Sequence, residues 1–371
     1  MKIIQVRSAS SSYPVICGRG SLARLGYLVD DLREGGEVFV LSSPSVWKFW
    51  GRDIMHELTG VRRGRVILFD DREAAKRLAT IEAICRKLVR ARADRKALLV
   101  AVGGGVVGDV SGFAASSYLR GVRIVHVPTT VVAQADSAIG GKTGVDLPEG
   151  KNLIGAFYPP QLVLADPSVL GTLPARQFRS GLYEVIKYAV IGDQELFAFL
   201  ERKFDALLRM DMRTLEWVIE RCVRAKACVV SGDEREAGLR QTLNFGHTIG
   251  HALESLTGYK VFLHGEAVAW GMLGATLIAV GMNRLGEKDA SLIASLVARC
   301  GPLPPLPGIS RAALSRAIAS DKKSRAGRVR WVLPKRIGAV DIGVHVPEKL
   351  VAMAWRELPA FFARARRSGR A

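Results

Sequence analysis

Residues 97–116 read ALLVAVGGGVVGDVSGFAAS, and the reading of this stretch decides the fold. The apolar run ALLVAV has the texture of a strand, and a helical pattern follows the glycines. Gly103, Gly105 and Gly108 satisfy G-x-G-x-x-G where the strand ends and the helix begins. Glycine lets a backbone approach a pyrophosphate, and a helix N-terminus offers free N–H groups and a positive dipole end. A tight strand-to-helix turn with no ligand would use the same glycines.

Outward from this turn, short β-branched runs alternate with helical stretches up to about residue 175. PVIC, EVFVLSS, RVILFD, RIVHVPTT and QLVLAD are further strand candidates, with helices such as SLARLGYLVDDLREG and AAKRLATIEAICRKLVRARA between some of them. Such alternation predicts an α/β domain with a Rossmann-like, largely parallel sheet. Beyond LPARQFRSG the pattern turns almost continuously helical, which predicts an all-α C-terminal domain. The expected domains are therefore 1–175 and 176–371.

Composition sets outer limits. The 371 residues are 49% hydrophobic and 24% charged, ordinary values for globular proteins. The N-terminus lacks an apolar core of signal-peptide length. The longest apolar run, AVAWGMLGATLIAVGM at 267–282, is shorter than a membrane span and reads as a buried helix. Five scattered cysteines without a CxxC pair argue against a disulfide framework or a thiolate zinc site, and fit a reducing cytoplasm. A net charge of +19 raises nucleic-acid binding as a rival reading. Yet the basic residues are spread among acids, and only the tail RARRSGRA is densely basic. No nucleic acid or membrane partner is expected.

Chemistry-bearing residues collect in three further places. The strand after the glycine turn ends in Thr129 and Thr130 with no acid to hold a ribose, so that contact falls to Asp71 or Glu73 in FDDREAAK. A second glycine-rich loop, AQADSAIGGKTGVDLPEGKNLIGAF, carries Asp136, Lys142, Lys151 and Asn152. In LNFGHTIGHALE, residues 243–254, His247 and His251 sit four apart on one expected helix face, and Arg240 and Asn244 extend that face one turn back. Thr248 stands where HExxH metalloproteases carry glutamate, so that motif fails. His264 adds a third imidazole, and Glu184, Glu254 and Glu266 are carboxylates of the right type. Spacing does not choose among these ligands.

The blocks GGGVVGDVSGFAASSYLRG, VPTTVVAQADSAIGGKTGV, GKNLIGAFYPPQLVLAD, GLYEVIKYAVI, DEREAGLRQTLNFGHTIGHALE and HGEAVAWGM resemble, in order, those of the 3-dehydroquinate synthase family. That family belongs to the sugar-phosphate cyclases and is related in fold to the iron-dependent alcohol dehydrogenases. The resemblance implies a lyase of the shikimate pathway that converts 3-deoxy-D-arabino-heptulosonate 7-phosphate to 3-dehydroquinate and phosphate. Its steps are transient NAD-dependent oxidation, phosphate elimination, re-reduction and intramolecular aldol closure. Sibling cyclases forming 2-deoxy-scyllo-inosose or an epi-valiolone are the alternative.

The same resemblance implies NAD and one divalent metal, zinc or cobalt, held by Glu184, His247 and His264. Cofactor contacts map to Asp71, Glu73, Lys76, Gly103, Gly104, Gly105, Val106, Val107, Gly108, Asp109, Thr129 and Thr130, with Lys142 and Lys151 near both ligands. Arg120, Asp136, Lys142, Asn152, Lys187, Lys226, Glu236, Arg240, Asn244, His251 and one of Lys322 and Lys323 map to catalytic or substrate positions. The expected partner is a small anionic sugar phosphate, and the expected assembly a cytoplasmic homodimer. Arg72, Tyr183 and Asp146 depart from the family pattern without deleting a catalytic group.

Overall fold

The computed structural model describes residues 1–61, 65–320 and 329–368. Chain contacts divide it into two units, Met1–Pro174 with Leu215–Arg235, and Ala175–Thr214 with Glu236–Ala371.

In the first unit the strands are β1 (Lys2–Arg7), β2 (Ser12–Cys17), β3 (Val38–Ser42), β4 (Arg65–Leu68), β5 (Leu98–Gly103), β6 (Arg123–Pro128), β7 (Lys142–Leu147), β8 (Gly150–Phe157) and β9 (Leu162–Ala165). Its helices before residue 175 are α1 (Leu25–Leu32), α2 (Pro44–Glu57), α3 (Leu78–Arg90) and α4 (Gly105–Ser117). One seven-stranded sheet has the order β1-β2-β9-β6-β5-β3-β4. Its pairings are parallel except β1 with β2. Parallel strands are covered on both faces, so their apolar runs need not alternate with polar residues. Along β5, Leu99 and Ala101 join a core with α3 and α4, while Leu98, Val100 and Val102 join one with α1 and α2. The glycine stretch therefore sits at the end of a central strand.

Three differences from the sequence expectation concern strands and helix ends. The second glycine-rich loop is built: Ala133–Ser137 forms a π-helical turn, and β7 pairs antiparallel with β8. Its glycines serve strand contact, since a Cβ on Gly155 would lie 2.0 Å from the Thr143 carbonyl oxygen. The second unit is not all-α, because β10 (Trp331–Arg336) and β11 (Ala339–Val344) form a two-stranded antiparallel sheet there. Trp331, Val332 and Leu333 bury their side chains, which rewards so short a hairpin.

The helices beyond residue 174 are α5 (Ala175–Gly192), α6 (Gln194–Leu208), α7 (Met212–Gly232), α8 (His247–Leu256), α9 (His264–Gly281), α10 (Glu287–Cys300), α11 (Arg311–Ser320) and α12 (Glu348–Ser368). A single cut near residue 175 misplaces most of α7, which belongs with the first unit. Backbone N–H groups of Arg7 and Arg19 donate to Ser231 Oγ and Glu216 Oε1 at 3.0 and 3.1 Å, tying this helix to β1 and to the turn that follows β2. The apolar run at 267–282 is the body of α9, buried from Gly265 to Ala279 as an all-round apolar helix requires. No helix among the described residues is long and apolar enough to cross a membrane. The helix expected through LNFGHTIGHALE begins only at His247. Leu239–Asn244 is a separate 3-10 turn, cut off by Gly246 at φ +82°. Arg240 and Asn244 thus do not extend the α8 face.

Candidate functional site

In the second unit, close helix packing brings three ligand types together. A Cβ on Gly271 would lie 1.8 Å from the Gly246 carbonyl oxygen, so α8 and α9 approach as only glycine allows. His247 opens α8 and His264 opens α9, and their ring centroids stand 5.3 Å apart. Gly265 N–H donates to Ser180 Oγ at 3.1 Å, fixing the start of α9 against α5 one turn before Glu184.

Ligand atoms of Glu184, His247 and His264 all lie within 4.8 Å of one another. Glu184 is 1% exposed, and neither of its oxygens accepts a hydrogen bond in good geometry. The Lys187 ammonium stands 2.5 Å from Oε2 as an ion pair. Lys187 gives this buried carboxylate one compensating charge, and a divalent cation held with two imidazoles would add a second. The donor set fits such an ion. His251 is not among the three residues whose ligand atoms converge, although its ring lies 5.4 Å from that of His247 and 6.2 Å from that of His264.

The other two carboxylates weighed from the sequence do different work. Glu266 caps α9 by accepting from Leu263 N–H at 2.8 Å, and Arg176 clamps it through two contacts of 2.7 Å. Glu254 faces His264 Nδ1 at 3.3 Å. The Nδ1 of His247 faces the Phe245 carbonyl at 3.1 Å. Nearby, Asn244 donates to Glu236 Oε1 at 2.6 Å, and Arg240 is 1% exposed within its 3-10 turn.

In the first unit the glycine turn leads into α4 with no side-chain cap on the helix start. Thr129 N–H donates to the Gly103 carbonyl at 2.9 Å, and Thr130 Oγ1 accepts from Ala133 N–H at 3.1 Å. Val107 is buried under the turn. Beside it, Lys76 pairs with Asp109 at 2.6 Å and also meets the Asn152 side-chain oxygen. Burial opposes the charge on Lys76, but Asp109, Glu73 and Asp146 outweigh it and raise its pKa. Lys151 pairs with Glu73 at 2.9 Å, and Asp71 accepts from Ser43 and Ser45 hydroxyls at 2.8 and 2.9 Å. Lys226 forms an ion pair with Asp136. Lys142 at the start of β7 and Arg120 are exposed, the latter at φ +69°. Lys322 and Lys323 lie outside the described residues.

The departures from the family pattern have identifiable surroundings. Arg72 is exposed and hydrogen-bonds Asp70, which lowers that carboxyl to about 2. Tyr183 is buried and donates to the Gly301 carbonyl at 3.4 Å. Asp146 accepts from Asn152 N–H at 2.7 Å, closing the β7–β8 hairpin. Residue-type reasoning assigned no role to the helix-capping Glu266–Arg176 clamp or to Ser43 and Ser45. An acid at 254 flanked by Ala252 and Leu253 was the available signal for a buried carboxylate on α8.

Comparison with known proteins adds the chemistry. Residues 66–180 match the family model 3-dehydroquinate synthase N-terminal, and residues 181–324 match 3-dehydroquinate synthase C-terminal. The 3-dehydroquinate synthase of Koribacter versatilis is 44% identical over 362 residues, covering 96% of this chain and 98% of that protein. Among solved structures, 2-deoxy-scyllo-inosose synthase complexed with carbaglucose-6-phosphate, NAD+ and Co2+ superposes with a TM-score of 0.88 at 29% identity, covering 96% of this chain and 100% of that one. The 2-epi-5-epi-valiolone synthase of Streptomyces hygroscopicus, with NAD+ and Zn2+ bound, gives 0.87 at 30% identity, covering 94% and 97%.

Proposed function

The chain belongs to the 3-dehydroquinate synthase family, and we propose that it converts 3-deoxy-D-arabino-heptulosonate 7-phosphate to 3-dehydroquinate and phosphate in the shikimate pathway. It is an NAD- and divalent-metal-dependent, phosphate-eliminating cyclase. Sibling cyclases share the fold at 28–30% identity, whereas named dehydroquinate synthases reach 45% over almost the whole chain. That difference disfavours the sibling reading. The observation that carries the proposal is the convergence of Glu184, His247 and His264 within 4.8 Å.

Bound NAD supplies a hydride acceptor and donor, and bound zinc or cobalt polarises the alcohol that is oxidised. The chain's own residues hold and orient these groups. We assign the metal to Glu184, His247 and His264 of the second unit. We assign NAD to the first unit, at the turn from Gly103 to Asp109 with Thr129, Thr130, Asp71, Glu73, Lys76, Lys142 and Lys151. The start of α4 carries no side-chain cap, so its N–H groups and positive dipole end are offered to a pyrophosphate. A substrate anionic at both ends needs cations that are already desolvated and aimed. Lys226, 5% exposed and held by Asp136, and Arg240, 1% exposed, answer that description. Arg120, Asn152, Lys187, Glu236, Asn244 and His251 complete the assigned polar set.

We further infer a cytoplasmic homodimer without nucleic-acid or membrane partners. Five free cysteines fit a reducing compartment, and light scattering on the purified chain reads the assembly. The catalytic reading is tested by supplying the protein with NAD+, Co2+ and a panel of sugar phosphates while assaying phosphate. Release from the heptulosonate phosphate alone is expected. Release from a neutral heptulose or hexose phosphate, but not from the heptulosonate, would refute the assignment.

A further inference from the structure

We propose that Glu254 is a positioning residue that sets the tautomer and ring angle of His264, leaving Nε2 as its metal-facing nitrogen. The inference rests on the reading of Glu184, His247 and His264 as a divalent-metal group.

Glu254 lies on the last turns of α8, on the same helix as His247, and is 2% exposed. A carboxylate that deep requires hydrogen-bond partners, and its Oε2 stands 3.3 Å from His264 Nδ1. In its ionised form this carboxylate can only accept, which places the proton on Nδ1 and the lone pair on Nε2. That Nε2 is the nitrogen 3.5 Å from Glu184 Oε1, inside the converging group. The backbone at this point is fixed independently, because Glu266 accepts from Leu263 N–H and is itself clamped by Arg176. One acid therefore holds the start of α9, and another turns the imidazole.

His247 is oriented by a different device, the Phe245 carbonyl at 3.1 Å from its Nδ1. A carbonyl is neutral and survives any side-chain change, whereas a carboxylate makes the imidazole a more basic ligand. The two histidines should thus respond unequally to mutation around them. A general structural role for Glu254 is separable from this one. Its backbone carbonyl accepts from Tyr259 N–H at 2.8 Å and from Thr257 Oγ1 at 3.3 Å, contacts that any residue at 254 retains.

The test uses the full chain, stripped of metal and titrated with Co2+, with the visible Co2+ spectrum as readout. Glu254→Leu removes the acceptor, while Glu254→Gln keeps shape and one acceptor oxygen, and Glu184→Gln serves as the reference for a lost ligand. The Co2+ dissociation constant is expected to rise about 10- to 100-fold in Glu254→Leu and less in Glu254→Gln. The ligand-field bands should change, with NAD+ affinity and far-ultraviolet circular dichroism unchanged. Should the leucine variant not fold, nitrogen-15 shifts of His264 decide from wild type and Glu254→Gln alone, at a pH where the ring is neutral. The wild type should show the Nδ1–H form, and the glutamine variant a mixture, because an amide can also donate. Co2+ binding within twofold of wild type in Glu254→Leu, or an Nε2–H ring in the wild type, overturns the proposal. A wild type that takes up no Co2+ overturns the metal reading and this inference together.

Discussion

At the scale of single residues, type and position were readable but partnership was not. Three histidines lay close in the sequence and three acids were of the right type, and spacing alone left the metal ligands open. Family resemblance named Glu184, His247 and His264, and their ligand atoms converge in space. Left-handed backbone at Arg120, Asn152 and Glu236 was invisible beforehand, because none is glycine. Such conformations cost of order 1–3 kcal/mol each and persist where surroundings dictate them. His126 was not singled out at all, although it lies 5% exposed on β6 beneath α4. Burial lowers its pKa from 6.5 to about 4. The unfolded chain therefore binds the proton more readily, so stability is complete above 6.5 and declines as pH falls toward 4. The loss amounts to at most about 3 kcal/mol. Urea unfolding at neutral and acid pH should show a smaller acid loss in His126→Gln than in wild type. Parallel profiles would rule out this contribution.

At the scale of elements, the strand–turn–helix at 97–116 was legible because a buried parallel strand is continuously apolar and glycines punctuate its end. The β7–β8 hairpin was not, since its glycines mimic a flexible loop while serving close strand contact. The short β10–β11 pair carried too few residues to stand out against a helical background. Helix packing beside His247 and His264 was equally hidden: Gly271 looks like a weak point inside α9, yet it faces the Gly246 carbonyl. Gly271→Ala should destabilise the chain by about 3 kcal/mol or more, since backbone rather than a side chain must move. It should also weaken Co2+ binding, because α8 and α9 carry His247 and His264. Gly281→Ala, where the new methyl meets the end of the flexible Met353 side chain, should change either quantity little. Denaturant midpoints and Co2+ titrations of the two variants check this, and equal behaviour would contradict the packing account.

At the scale of the whole molecule, the sequence showed an α/β part followed by a helical part, and the sheet order and buried α9 agree. The return of α7 to the first unit was not legible, because an amphipathic pattern says which face is buried but not against what. The charge of +19 raised nucleic acid as a rival to an anionic metabolite, and only the spread of basic residues among acids weighed against it. The central claim is that this chain uses NAD as a returned reagent while expelling phosphate. The most direct test follows phosphate and reduced nicotinamide together, with metal-loaded enzyme, NAD+ equimolar with it, and heptulosonate phosphate in large excess. Phosphate is predicted to accumulate to many equivalents of the NAD present, with no net reduced nicotinamide at completion. Reduced nicotinamide accumulating in step with substrate loss, without phosphate, would contradict the account and mark a simple dehydrogenase.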